Sequence, residues 1–300
     1  MEQLRENAKR LEAALSVGLA NPTIKAVHEL RSSTRRVEAQ LALLSTVHGL
    51  PPWKPEAEKL QRRLDKLRRV AGKVRDCDVQ EKLLKDQDKA MRSAPEAPTG
   101  VVDKAQDKLR KRITKNRQRR ERKLLAAIER QLPKLARETE AVLASLKPAA
   151  EHQVPVSHLL GSIESQMEHM LQSRERGEEH LHDLRKAAKR ARYQCESLPG
   201  PQAAAMAKRL EQLQDAGGSW HDLLDLATVC HEELGPEHPL ARILEHLRDE
   251  HLDDFLADVE DFRNGHPHRQ TSAAKPKAQK RAAPGLGRAA AKGRRRLRAK

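Results

Sequence analysis

Three hundred residues with only five Phe, Trp or Tyr among them leave little with which to build a β-sheet, since strands are enriched in aromatic and β-branched residues. Leu, Ala, Glu, Lys and Arg dominate, and all are good helix formers, so the composition points to an all-α protein. The net charge is +16 but uneven: 12 of the 59 Lys and Arg lie between Asn264 and Lys300, where there is no Asp or Glu, and the rest of the chain is close to balance. A cationic tail of this kind calls for an anionic partner without specifying which one. No apolar run approaches the ~20 residues of a membrane span, and the N-terminus has no apolar leader core. The three cysteines, Cys77, Cys195 and Cys230, form no CxxC pair. An odd, unpaired set fits a reducing compartment, so a cytoplasmic protein is expected.

Leu4, Leu11, Leu15 and Leu19 recur at helical spacing and predict a first amphipathic helix. Asn21-Pro22 reads as an N-cap followed by proline at the first helical position, and opens a second helix from about Pro22 to His48. Gly49-Leu50-Pro51-Pro52 ends it. A third helical stretch runs from about Lys54 to Ala90, with Gly72 as its weakest point, and Ser93 to Gly100 is a loop by composition. From Asp103 to Leu146 the pattern is helical again, and Pro133 is expected to kink or divide it. Lys147 to Pro155 reads as a linker. Helices follow at about 156–176, 177–198, 202–233 and 237–263, the last three separated by Pro199-Gly200-Pro201 and Gly235-Pro236. Beyond Gly265 the chain has little with which to form a core, and disorder is expected there.

The chain repeats itself. Val27-His28-Glu29-Leu30-Arg31, followed by Thr34-Arg35-Arg36-Val37, matches Leu181-His182-Asp183-Leu184-Arg185, followed by Ala188-Lys189-Arg190-Ala191. Both read apolar, His, acid, Leu, Arg, three residues, then two bases. A second pair of segments follows in the same order: Leu67 to Asp76 matches Leu213 to Asp222, aligning Leu, Gly and a base-Asp pair. Two matches in one order at nearly one offset predict a duplicated helical unit, with halves at about 1–147 and 148–263 and a separate tail at 264–300.

At about 100° per residue, His28, Arg31 and Arg35 fall on one stripe of a helix, with Arg36 on its shoulder. Val27, Leu30, Thr34, Val37, Leu41 and Leu44 gather opposite. The second copy places His182, Arg185 and Lys189 on a stripe, flanked by Arg190 and Arg192, with Tyr193 on the same face. A solvated stripe is usually laced with Glu or Asp four residues away, and this one is not. Crowded like charges imply a missing counter-anion. Arg suits phosphate because its planar fork donates two parallel hydrogen bonds, Lys adds a point charge, and His can take up a proton beside an anion.

In VHELRSSTRR, KVRDCDV, LHDLRKAAKRARY and GGSWHD the sequence resembles the CHAD domain, the conserved histidine α-helical domain, over about residues 1–263. The resemblance implies two pseudo-symmetric helical-bundle halves whose basic residues line a central cavity or surface. It also implies binding of inorganic polyphosphate, with polyphosphate granules in the cytoplasm as a place of action. By the same resemblance His28, Arg31, Arg35, Arg36 and Arg75 form one half-site, and His182, Arg185, Lys189, Arg190, Arg192 and His221 the other. The sequence departs from the family pattern where Glu38 stands opposite Arg192, which predicts weaker binding at the far end of the first copy. Gly217-Gly218 makes the second partner helix more breakable.

Other signals carry less. Eight bases crowd Lys111 to Lys123, as a phosphate contact or as the wet side of a long helix in equal measure. Asp76, Asp78 and Asp222 read as partners of nearby bases or helix caps rather than metal ligands. No Cys/His set has zinc spacing, so neither metal nor cofactor is expected. There is no GxxxxGK[ST], no serine-triad order and no ExExK of the triphosphate-tunnel domains fused to some family members; a non-catalytic protein is expected. Trp53 and Trp220 read as core or loop residues. A rival reading is a nucleic-acid binder acting through its tail, and another is a phosphate-handling enzyme.

Overall fold

The computed structural model describes residues 2–92, 101–149, 154–172 and 177–265. All of them lie in a compact unit, residues 1–269; the expected loop at 93–100 and the expected disordered tail fall outside the described residues. Among the described residues all regular structure is helical: α1 (Glu2–Ala20), α2 (Ile24–Leu44), α3 (Lys54–Arg92), α4 (Val101–Leu146), a 3-10 turn (Lys147–Ala149), α5 (Val156–Gln172), α6 (Glu178–Glu196), α7 (Pro201–Leu234) and α8 (Pro239–Arg263).

Several boundaries differ from expectation for local reasons. The N-cap of α2 is Thr23, not Asn21: Thr23 Oγ1 accepts from Ala26 N, while Asn21 N still donates to Val17 O and so belongs to the end of α1. α2 stops at Leu44 rather than His48, because Thr46 and Val47 switch to i→i−3 hydrogen bonds. Pro133 does not divide α4. Arg63 of α3 donates to Gln131 and Glu138, one on each side of the proline, and clamps both flanks to the same neighbour. Nor do the glycines break α3 or α7, and each helix runs through them unbroken.

Three apolar clusters hold the unit together. The first joins α1 to α4 through Leu4, Leu15, Leu30, Leu41, Leu64 and Ile128. The second joins α5 to α8 around Trp220, which stacks on Phe255 with ring centroids 5.9 Å apart. Leu43 of α2 also belongs to the second cluster. The third contains Leu84 of α3 and Ile113 of α4 together with Leu226 and Cys230 of α7 and Leu244 of α8. It fastens the N-terminal helices to the C-terminal ones. Trp53 lies in the first core, and the three cysteines are buried free thiols. Each repeated His-bearing helix packs on the helix that carries its partner segment, α2 on α3 and α6 on α7, and α2 also meets α6. Descent from a duplicated unit remains an inference from the sequence repeat.

Candidate functional site

The position of the basic stripes follows from how α2 is buried. Periodicity predicts one buried face, and Val27, Leu30, Thr34, Val37 and Leu41 form it. A second face is buried too: Ser32, Ala39 and Leu43, at helical spacing with Arg36, turn toward the C-terminal half. The short side chains of Ser32 and Ala39 permit close approach. The stripe of His28, Arg31 and Arg35 therefore does not face open solvent. It lies in the angle between the two buried faces, where α2 meets α6.

There the two stripes converge. Arg31 and Arg35 lie close enough to Lys189 to bear on its charge, and Arg35 likewise on Arg185. His28 feels Arg75 of α3 and Lys189 of α6. Six of the predicted residues thus fall within one electrostatic cluster: His28, Arg31, Arg35, Arg75, Arg185 and Lys189. The strain of bringing them together shows in their ionisation. Burial first, and then Arg35, Arg31 and Arg185, push the Lys189 ammonium down to about 7. Burial, then Arg31 and Arg68, bring Arg35 down to about 10. His28 and His182 are lowered by the same causes, burial and then neighbouring bases. The Nε atoms of Arg35 and Arg185 are buried with no hydrogen-bond partner among the described residues. A buried donor left unpaired carries its full desolvation cost, which an anion would remove.

A cavity of about 520 Å³ opens beside this cluster, between α2, α3 and α6. Arg35, Arg68, His182, Arg185, Arg190 and Tyr193 line it, with Glu38, Asp65 and Lys186. Arg190 is exposed. His221 of α7 lies against His182, ring centroids 4.6 Å apart, with Nε2 3.6 Å from Asp225. Burial, then Arg185, His182 and Lys186, take His221 down to about 3.

Arg36 and Arg192 are not delivered as free cations. Arg36 is drawn to Glu196 (3.6 Å) and Glu29 (3.8 Å), and Arg192 to Glu196 (2.7 Å) and Glu211 (3.2 Å). Both guanidinium carbons stand 5.4 Å from the Tyr193 ring centroid, so the two residues brace a buried tyrosine on the cavity wall. Arg68 was not among the predicted site residues. It precedes Arg75 by seven residues, two helical turns on one face of α3, and that spacing was the available signal. Its charge is shared with Glu38 (3.1 Å) and Asp65.

Carboxylates lie among these bases as well. Arg31 Nη1 is 4.0 Å from Asp76, at the limit of an ion pair. Asp222 lies near Arg75, Arg185 and Lys189; burial raises it and those bases oppose the rise. Asp225 is pushed up to about 6 by burial, then by Asp76 and Asp222. Asp78 stands apart, buried and bonded to Arg117 at 2.7 Å, a structural pair. Among the described residues no group of three or more His, Cys, Asp or Glu could hold a metal ion, and no helix is long and apolar enough to cross a membrane.

Comparison with known proteins adds a family. The model of the CHAD domain matches residues 2–231. The crystal structure of the CHAD domain from the plant Ricinus communis superimposes with a TM-score of 0.59 and 20% identity, covering 87% of this chain and 88% of that one. PptA from Streptomyces chartreusis superimposes with a TM-score of 0.61 and 18% identity, covering 87% and 95%. At these identities the likeness is one of fold. No curated protein matches the sequence.

Proposed function

This chain belongs to the CHAD domain family, and we propose that it binds inorganic polyphosphate where α2 and α6 converge. The observation that carries this reading is the meeting of two cationic helices whose Arg35 and Arg185 Nε donors are buried and unpaired, with a cavity beside them. A single chain of phosphates is thin enough to lie between two helices and accept from both. Arg31, Arg35, Arg75 and Arg185 supply the forks, and Lys189, His28 and His182 supply charge that a bound anion draws out. Arg190, exposed on the cavity wall, extends the contact. A duplex is too broad for the same cleft. In the cluster the six bases outnumber Asp76, Asp222 and Asp225, which suits retention of a phosphate chain rather than its hydrolysis. A module of this kind would act in the cytoplasm at polyphosphate granules. The 12 bases of the tail, without a single carboxylate, favour a second, less selective contact with nucleic acid.

The test is competition of long-chain polyphosphate against duplex DNA and RNA. It compares the full chain, the chain ended after Arg263, and the Arg31→Ala, Arg185→Ala double variant. Removing two charge-assisted contacts at about 1.5–3 kcal/mol each weakens polyphosphate binding by roughly a hundredfold or more while sparing nucleic acid. The shortened chain keeps its polyphosphate affinity and loses the share of nucleic-acid affinity that the tail supplies. Full retention of polyphosphate binding in the double variant would reduce both stripes to ordinary wet surface.

A further inference from the structure

We infer that the outward ridge of α4 is a second polyanion site, distinct from the cleft, that takes the phosphate backbone of a nucleic-acid duplex. The inference does not rest on the polyphosphate reading. It starts from how the bases of Lys111 to Lys123 divide. Arg117 turns inward, donating to Asp78 and to Pro22 O at 3.0 Å, and Arg120 donates to Lys73 O at 2.9 Å. With Leu109, Ile113 and Leu124 buried, these contacts fix the rotation of the helix. The opposite side is thereby held outward, and it carries Lys108, Lys111, Lys115, Arg119 and Arg122, all exposed. They lie three or four residues apart on one line, about 21 Å long at 1.5 Å per residue.

This ridge lacks the self-neutralisation found elsewhere on the surface. On α3 the exposed Arg62 pairs with Glu58 (3.8 Å) and Arg69 with Asp65 (2.8 Å). On α4, Glu121 is the one carboxylate between Lys108 and Lys123, and Arg117 engages it. Among the described residues none of the five ridge bases makes an ion pair, which leaves a strip of unbalanced charge on a rigid helix. Its form selects the class of anion. A flexible phosphate chain gains by being enclosed, because ordering it on one side only costs chain entropy. A duplex is stiff, and its phosphates are already ordered. An open ridge of about 21 Å spans roughly six phosphates of one strand at about 3.4 Å of axis each. No Phe, Trp or Tyr occurs in α4, so the ridge has nothing on which to stack unpaired bases and would read the backbone alone.

The experiment measures affinity of the full chain for a mixed-sequence DNA duplex across a range of salt concentrations. Wild type is compared with a variant carrying Lys111→Gln, Lys115→Gln, Arg119→Gln and Arg122→Gln. Gln is a good helix former, so α4 is retained, as circular dichroism would verify. A control variant carries Lys59→Gln, Arg62→Gln, Lys66→Gln and Arg69→Gln on the exposed side of α3 and loses the same net charge. Four lost phosphate contacts make the slope of log K against log salt shallower by about 3 to 4 and weaken binding at least tenfold at moderate salt. The control keeps the wild-type slope, and polyphosphate affinity stays within about twofold in the α4 variant. Equal weakening by both variants would mean that net charge alone is read. An unchanged duplex slope, or a loss of polyphosphate binding in parallel, would equally overturn the assignment.

Discussion

Lys189 occupies the place in α6 that Arg35 occupies in α2, and that one difference gives the site a titratable centre. An arginine held down to about 10 remains charged at neutral pH; a lysine held at about 7 does not remain fully so. A polyanion favours the protonated amine, so binding takes up a proton near and above pH 7. Asp225, pushed up to about 6, acts in the same direction at the lower end of this range, since it repels a phosphate once ionised. Polyphosphate affinity therefore falls as pH rises from 6 to 8, by at most about tenfold per pH unit for each linked proton. Lys189→Arg flattens this dependence and strengthens binding at pH 8; calorimetric titrations at three pH values would check it. The free protein behaves oppositely. An unfolded lysine titrates near 10.4 and so holds its proton more tightly than Lys189 does in the fold. Thermal stability without ligand rises between about pH 7 and 10 for this residue, and Lys189→Arg removes that rise.

Between elements, Gly72 and Gly217, one from each partner segment, lead to different outcomes. A Cβ at Gly72 would meet Arg31 Nη1 at 2.7 Å, the mobile end of a long side chain. Gly72→Ala should leave stability unchanged or raise it by up to about 1 kcal/mol through helix propensity, while displacing Arg31 and weakening polyphosphate binding. A Cβ at Gly217 would lie 2.8 Å from the Phe255 ring, which is fully buried and stacked on Trp220. Gly217→Ala should cost about 1–3 kcal/mol by overpacking, seen as a lowered melting temperature. These helices also mark how far the sequence could be read. Proline and glycine punctuation placed most helices to within a few residues, and the repeat singled out α2 and α6. The fate of Pro133 was hidden because its support comes from Arg63, some seventy residues away. The second buried face of α2 was hidden likewise, because Ser32 and Ala39 look polar or neutral until α6 is packed against them. Long-range pairing decided the fate of Arg36, since nothing near it in sequence announces Glu196; Arg192, by contrast, is held by Glu196 four residues on, so the flank of the second stripe is laced with acid after all.

At the scale of the molecule, the site exists because two helix sets are held in register. Leu43 reaches from α2 into the second core, and the third core ties α3 and α4 to α7 and α8. Neither stripe alone makes a cleft; α2 would offer a line of bases and α6 another. The central claim is that one phosphate chain is gripped from both sides at once. Calorimetric titration of a short polyphosphate of defined length into the wild type, Arg35→Ala and Arg185→Ala tests it most directly. One chain bound per protein, with either single substitution weakening that one event by about tenfold or more, is the expected result for charge-assisted contacts of about 1.5–3 kcal/mol. Two independent binding events, one abolished by each substitution while the other persists, would contradict it.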